Sequence, residues 1–186
     1  MILEAGQAQH FYSLWISLLD FVNHEYRIDS QLYGMRSPKG LPVESILRIR
    51  EKLWENRSLI DSYVKTNPHQ LSNSELKTVS GWKNSVEDTF MILRHLKSGS
   101  IFIPSYREDA AYIVCGIYSA WEEMLRGAPL PQAVTTVLIP FEGRIIYDGL
   151  MSSYNVRFGG NIKRSLNEHY RKLKAGGQIY KSFGID

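Results

Sequence analysis

Residues 133–174 read AVTTVLIPFEGRIIYDGLMSSYNVRFGGNIKRSLNEHYRKLK, and the fold turns on this stretch. Val134, Thr135, Thr136, Val137, Leu138 and Ile139 are almost all β-branched, as a half-buried strand requires, and Arg144-Ile145-Ile146-Tyr147 resumes the pattern after Glu142-Gly143. A two-residue break between such runs predicts a hairpin, in which Gly143 takes the positive φ of a type I′ turn. A third strand over residues 154–158 is expected beyond an Asp148-Gly149 turn. Gly159-Gly160 then leads into a helix from about Asn161 to Lys174.

LIPF at 138–141, IIYDG at 145–149 and FGGNI at 158–162 resemble the LLPF, IIYDG and FGGGI pattern of a family of uncharacterised prokaryotic proteins. Asn161 stands where that pattern has a third glycine. The resemblance covers the C-terminal part of the chain. It implies the same order of strands and helix and carries over no activity and no catalytic residue.

Upstream, Phe11, Leu14, Trp15, Leu18, Leu19 and Val22 recur at helical spacing and predict an amphipathic helix over about residues 6–26. Residues 27–40 lose that period and contain Gly34, Pro38 and Gly40, which predicts a loop of a length that is often functional or mobile. Pro42 suits the start of a second helix expected to turn Val43, Ile46, Leu47, Leu53 and Trp54 inward. Ser58 with Asp61 predicts a third helix closed by Asn67-Pro68. Ser72 with Glu75 is a capping box for a fourth, expected to run through Leu76, Val79, Trp82, Val86, Phe90 and Leu93 to about Lys97.

Lys97-Ser98-Gly99-Ser100 breaks the helical period. Ile101-Phe102-Ile103 and the AYIVCGIY run from Ala111 predict two strands, and Trp121 to about Arg126 a short helix stopped at Gly127. The expected class is α+β. A four-helix region over residues 1–98 precedes a β-rich region over 99–186, a small bent antiparallel sheet or partly closed barrel with a C-terminal helix, and the two regions are separate domains or one packed unit.

The 186 residues are 44% hydrophobic and 22% charged, an ordinary balance for a globular chain long enough for one substantial core or two small ones. The formal net charge of +3 is unevenly placed, with eight Lys and Arg against four Asp and Glu after residue 130. Cys115 is the only cysteine, which excludes an internal disulfide and fits a reducing cytoplasm. The first ten residues lack a basic leader, and Asp20 interrupts the apolar run from Phe11 well short of the roughly 20 residues of a membrane span. The expectation is a cytoplasmic protein without membrane association.

Spacings that carry chemistry are few. His10, His24, His69, His95 and His169 form no H-x-x-x-H or H-E-x-x-H, and no phosphate loop, dinucleotide fingerprint or G-x-S-x-G elbow occurs, so neither a metal nor a cofactor is expected. Cys115 lies between Val114 and Gly116 in an apolar strand, where packing is a simpler role than nucleophilic attack. Asp148 is a general-base position only if it is not the turn residue that Asp-Gly first suggests. Glu122 and Glu123 are adjacent on a helix and point apart. Tyr106, Tyr112, Tyr118, Tyr147, Tyr154 and Phe158 either form a platform for unpaired bases or rim a core. No catalytic residue is assigned.

The remaining feature is a glycine pair at a helix N-terminus followed by cations. Free N–H groups and the positive end of the helix dipole favour an anion there, while an ordinary strand-to-helix turn is the competing reading. Along the helix, Ile162, Leu166, Tyr170 and Leu173 are expected inside and Lys163, Asn167, Arg171 and Lys174 outside, with Arg164–Glu168 and Glu168–Lys172 spaced as intrahelical pairs. The candidate anion-binding residues are Gly159, Gly160, Asn161, Lys163, Arg164, Arg171 and Lys174. They point to a non-catalytic module contacting a nucleic acid or another polyanion through the C-terminal half. The alternative is a protein-interaction or regulatory subunit that docks a partner or a second copy through the helical half, and an enzyme stands third.

Overall fold

The computed structural model describes residues 1–37, 40–107 and 109–183, so Pro38 of the expected loop lies outside them. The chain divides into two compact units, a helical unit of Ala5–Lys83 and a sheet unit of Met1–Glu4 with the chain from Asn84 onward. Among the described residues no helix is long and apolar enough to cross a membrane.

The helical unit holds α1 (Ala5–Tyr26), a 3₁₀ turn at Ser30–Leu32 in the long connection that follows it, α2 (Val43–Glu55), α3 (Ser58–Thr66) and α4 (Asn73–Gly81). The apolar stripe of α1 is buried as its spacing demands. Trp15 stacks on Trp54 at 5.7 Å between centroids and meets Trp82 edge-on at 5.6 Å. On α2, Ile49, Leu53 and Trp54 are buried, but Val43 and Leu47 are exposed rather than inward. Leu47 sits two residues before Ile49 and so projects from the opposite side of the helix. Asn67 ends α3 in the left-handed conformation, φ +42°, and the Ser72–Glu75 capping box opens α4.

The fourth helix stops at Gly81, well before Lys97. From Val86 the chain is a strand, because Phe90 and Leu93 fit the helical period while Val86, Asp88, Phe90 and Ile92 fit the strand period equally well, and neighbouring strands take both edges.

The sheet unit holds β1 (Val86–Leu96), β2 (Gly99–Pro104), β3 (Ala111–Cys115), α5 (Trp121–Met124), β4 (Gln132–Phe141), β5 (Arg144–Ser153), α6 (Gly160–Ala175) and β6 (Ile179–Tyr180). The strand order is β2-β1-β4-β5-β3-β6, with β2 also pairing β3. The sheet is mixed, not antiparallel, since β3 runs parallel to both β5 and β6. α6 makes this possible by carrying the chain from β5 back to the start of a strand that enters beside β3. The β2–β3 pairing bends the sheet on itself without making a clean barrel, because the β3–β5 ladder holds just Val114 with Ile145 and Cys115 with Ile146.

The β4–β5 hairpin turns at Glu142 and Gly143, both left-handed at φ +46° and +72°, with Phe141 opposite Arg144. Asp148-Gly149 does not turn the chain out of the sheet. The register passes from Leu138 opposite Tyr147 to Thr136 opposite Met151, so Val137 faces a bulge of Asp148, Gly149 and Leu150. Gly149 takes φ +91°, and Thr136 Oγ1 donates to Leu150 O at 2.7 Å across the bulge. β5 therefore continues to Ser153, and residues 154–158 are irregular instead of a third strand.

Alternation gives the curled sheet two apolar faces. Phe90, Phe102, Trp121 and Tyr147 fill one side, with Phe102 and Tyr147 each within 4.8 Å of Trp121 by ring centroid. Ile101, Ile103, Ala111 and Ile113 face the other way and are covered by Leu166, Tyr170 and Leu173 of α6. Burying each large apolar side chain stabilises the fold by roughly 1.5–3 kcal/mol before conformational entropy is subtracted. The first residues join this unit through Leu3 N–H to Gly116 O and Gly116 N–H to Met1 O, both 3.1 Å.

Candidate functional site

Gly159 is the N-cap of α6 and no side chain caps the helix. Gly159 has ordinary extended φ and ψ, −69° and 168°, and a Cβ on Gly159 or Gly160 would meet nothing within 4 Å. The turn into the helix thus does not require this glycine pair. Its effect is to leave the first N–H groups of the helix open to approach, groups that have no intrahelical acceptor.

Asn161, Lys163, Arg164, Arg171 and Lys174 are all exposed. At 3.6 residues per turn, Lys163, Lys174, Arg171 and Arg164 fall within roughly 100° of the helix circumference. Among the described residues none of these four is in an ion pair, and the Arg164–Glu168 and Glu168–Lys172 pairs that the spacing allows do not form.

The structure changes two details of the face. Ile162 is exposed, not buried, because the apolar cluster under α6 begins one turn later at Leu166. Asn167 does not point freely outward. Its amide donates to Lys163 O at 2.7 Å, and its Oδ1 accepts from the Arg94 guanidinium of β1, which also lies 5.0 Å from the Tyr170 ring centroid. Arg94 is therefore a fifth cation held beside the face, one that the expected helix through Lys97 did not place there.

The other residues singled out by sequence are dispersed. Cys115 is buried and its thiol is pushed up by that burial, which keeps it protonated and unreactive. Asp148 is fully buried within the bulge, its Oδ1 accepting Leu150 N–H at 3.3 Å. Glu123 accepts the Ala120 N–H at the start of α5. The tyrosines do not share one surface, since Tyr112 and Tyr147 are buried while Tyr106, Tyr118 and Tyr154 are exposed. Among the described residues no group of three or more His, Cys, Asp and Glu could hold a metal ion.

The helical unit contains a polar network that the sequence reading missed. Asp20, buried on α1, accepts the Gly34 N–H at 2.8 Å, and His69 Nε2 lies 3.3 Å from its other oxygen. His69 Nδ1 lies 3.3 Å from the Tyr63 hydroxyl, which burial pushes up to about 12, so the phenol stays protonated and can donate. Asp20 and Tyr63 thus occupy both ring nitrogens, which leaves neither for a substrate. The signal that could have found this network is Asp20 itself, a carboxylate in an otherwise apolar helical stripe.

No family model, no curated protein and no solved structure matches the chain.

Proposed function

We propose that the sheet unit is a non-catalytic binding module that contacts a nucleic acid or another polyanion through α6. The observation that carries this reading is the sector of Lys163, Arg164, Arg171 and Lys174, exposed and without acidic partners among the described residues. Such a face neutralises phosphates and releases their counterions, the dominant and salt-sensitive part of polyanion affinity. The open amides at Gly160 and Asn161 add a place for one phosphate at the positive end of the helix dipole. The test is anisotropy titration of labelled single- and double-stranded oligonucleotides at low salt, with the wild-type protein and a Lys163→Gln, Arg171→Gln, Lys174→Gln variant. The variant is expected to fold normally and to bind both more weakly.

A second reading rests on α2. Val43 and Leu47, one turn apart and both exposed, make an apolar spot on the helical unit that suits a protein partner or a second copy of the chain. Association there would be insensitive to salt, and loss of it in Val43→Ser would identify the surface.

A further inference from the structure

Beside the N-terminus of α6, the sheet unit has a cleft of about 420 Å³ between two stretches of irregular chain, within the range of small-ligand sites. One wall runs from Met124, the last residue of α5, to Pro129, the other from Ser153, the last residue of β5, to Arg157, and Gln132 of β4 also lines the cleft. Both walls are held. Tyr147 Oη donates to Met124 Sδ at 3.4 Å and Ala128 N–H to Leu125 O at 2.9 Å, while Tyr154 N–H donates to Ala133 O at 3.1 Å and the buried Gln132 amide to Tyr154 O. Tyr154 Oη lies within hydrogen-bond distance of Thr135 Oγ1, at 3.0 Å. Arg126 sits in the left-handed region at φ +49°, a strained conformation for a residue with a side chain and one that recurs at ligand sites.

The chemistry of the lining is specific. Met124, Leu125 and Val156 provide apolar surface, the Asn155 amide offers a donor and an acceptor, and the guanidiniums of Arg126 and Arg157 provide positive charge. No carboxylate lines it among the described residues. Arg157 also lines an adjoining cleft with Leu130 and Phe158. One residue, Phe158, separates Arg157 from the N-cap Gly159, at most about 7.6 Å of chain, so the cleft lies close to the first turn of α6.

We propose that this cleft receives one unpaired nucleotide of a single strand, its base against the apolar walls and its phosphate at Arg126 and Arg157, with the following phosphates on α6. A base reaches such a concavity only when it is not paired, and an aromatic ring, here that of Tyr154 in the lining, beside cationic groups is how single strands are held without a fixed sequence. This rests on the polyanion reading and specifies its partner.

The decisive variant is the uncharged Val156→Asn, at an exposed side chain, so folding is retained and is checked by circular dichroism. Wild type should bind a single-stranded oligonucleotide at least tenfold more tightly than the duplex of the same sequence. Val156→Asn should cut that preference to under threefold while leaving duplex binding within twofold. Adenosine monophosphate, titrated by ¹⁵N chemical shifts, should perturb residues 124–129 and 153–157 in wild type and in the α6 triple variant, and much less in Val156→Asn. Duplex binding equal to single-strand binding, with no response of the cleft to the mononucleotide, would overturn the inference and leave the polyanion reading standing. Failure of wild type to bind either oligonucleotide at low salt would overturn both.

Discussion

His69 and Asp20, forty-nine positions apart, meet at 3.3 Å where the loop after α3 crosses the buried face of α1. The same carboxylate holds Gly34 N–H at 2.8 Å, so one residue pins two loops of the helical unit. Asp20→Ala leaves the part-buried Gly34 N–H and the His69 imidazole without their acceptor. Hydrogen bonds to a charged group are worth about 1.5–3 kcal/mol each, and the expected loss is at least about 2 kcal/mol by urea denaturation. A change under about 0.5 kcal/mol would mean that water replaces the carboxylate at no cost.

The hairpin turn makes a cleaner test of backbone strain. A Cβ at Gly143 meets nothing within 4 Å, yet φ is +72°, so any cost of substitution comes from conformation alone. Gly143→Val should destabilise the fold by at least roughly 1 kcal/mol, because a β-branched residue tolerates positive φ poorly. Equal denaturation midpoints would show that the turn relaxes to another type.

Gly116 is the opposite case. Its φ is ordinary, but a Cβ there would come within 2.0 Å of the Ser119 carbonyl oxygen, which is backbone and has no rotamer to escape into. Gly116→Ala should cost more than Gly143→Ala, in the range of about 1–3 kcal/mol for overpacking. It should also speed amide exchange at Leu3, whose N–H bonds to Gly116 O at 3.1 Å.

What the sequence made legible follows from how local each signal was. The α1 stripe, the Ser72–Glu75 box, the Glu142-Gly143 turn and the C-terminal helix each depend on residues a few positions apart, and each is present. Phe90 and Leu93 fit two periods, and only pairing with β2 and β4 decided for the strand. Asp148-Gly149 is a turn pair that the long register of β4 converts into a bulge. Of the candidate site, the exposed cations and open glycines were readable from helical spacing. Arg94, Arg126 and the cleft were not, because long-range packing brings them there.

A pH dependence follows from His95, whose pKa is lowered from its usual 6.5 chiefly by burial, with Ser100 Oγ 2.8 Å from Nδ1. The fold favours the neutral ring. Its contribution is therefore fully present above about pH 6.5 and is lost as pH falls through the lowered value, where the unfolded chain binds the extra proton. His95→Gln should flatten the decline of stability in that acid window, as read from melting temperatures across pH. An unchanged profile would assign the decline to other groups.

The most direct measurement is the salt dependence of oligonucleotide binding through α6. Wild-type affinity should fall linearly on a log–log plot of binding constant against salt concentration. Each phosphate contact contributes about 0.9 to the slope on duplex DNA and about 0.7 on a single strand, so replacing Lys163, Arg171 and Lys174 by glutamine should reduce it by roughly two to three units. The thermal midpoint should hardly move, since exposed substitutions usually stay within about 0.5 kcal/mol. A slope unchanged in the triple variant, or no wild-type binding at low salt, would contradict the assignment of a polyanion to this face.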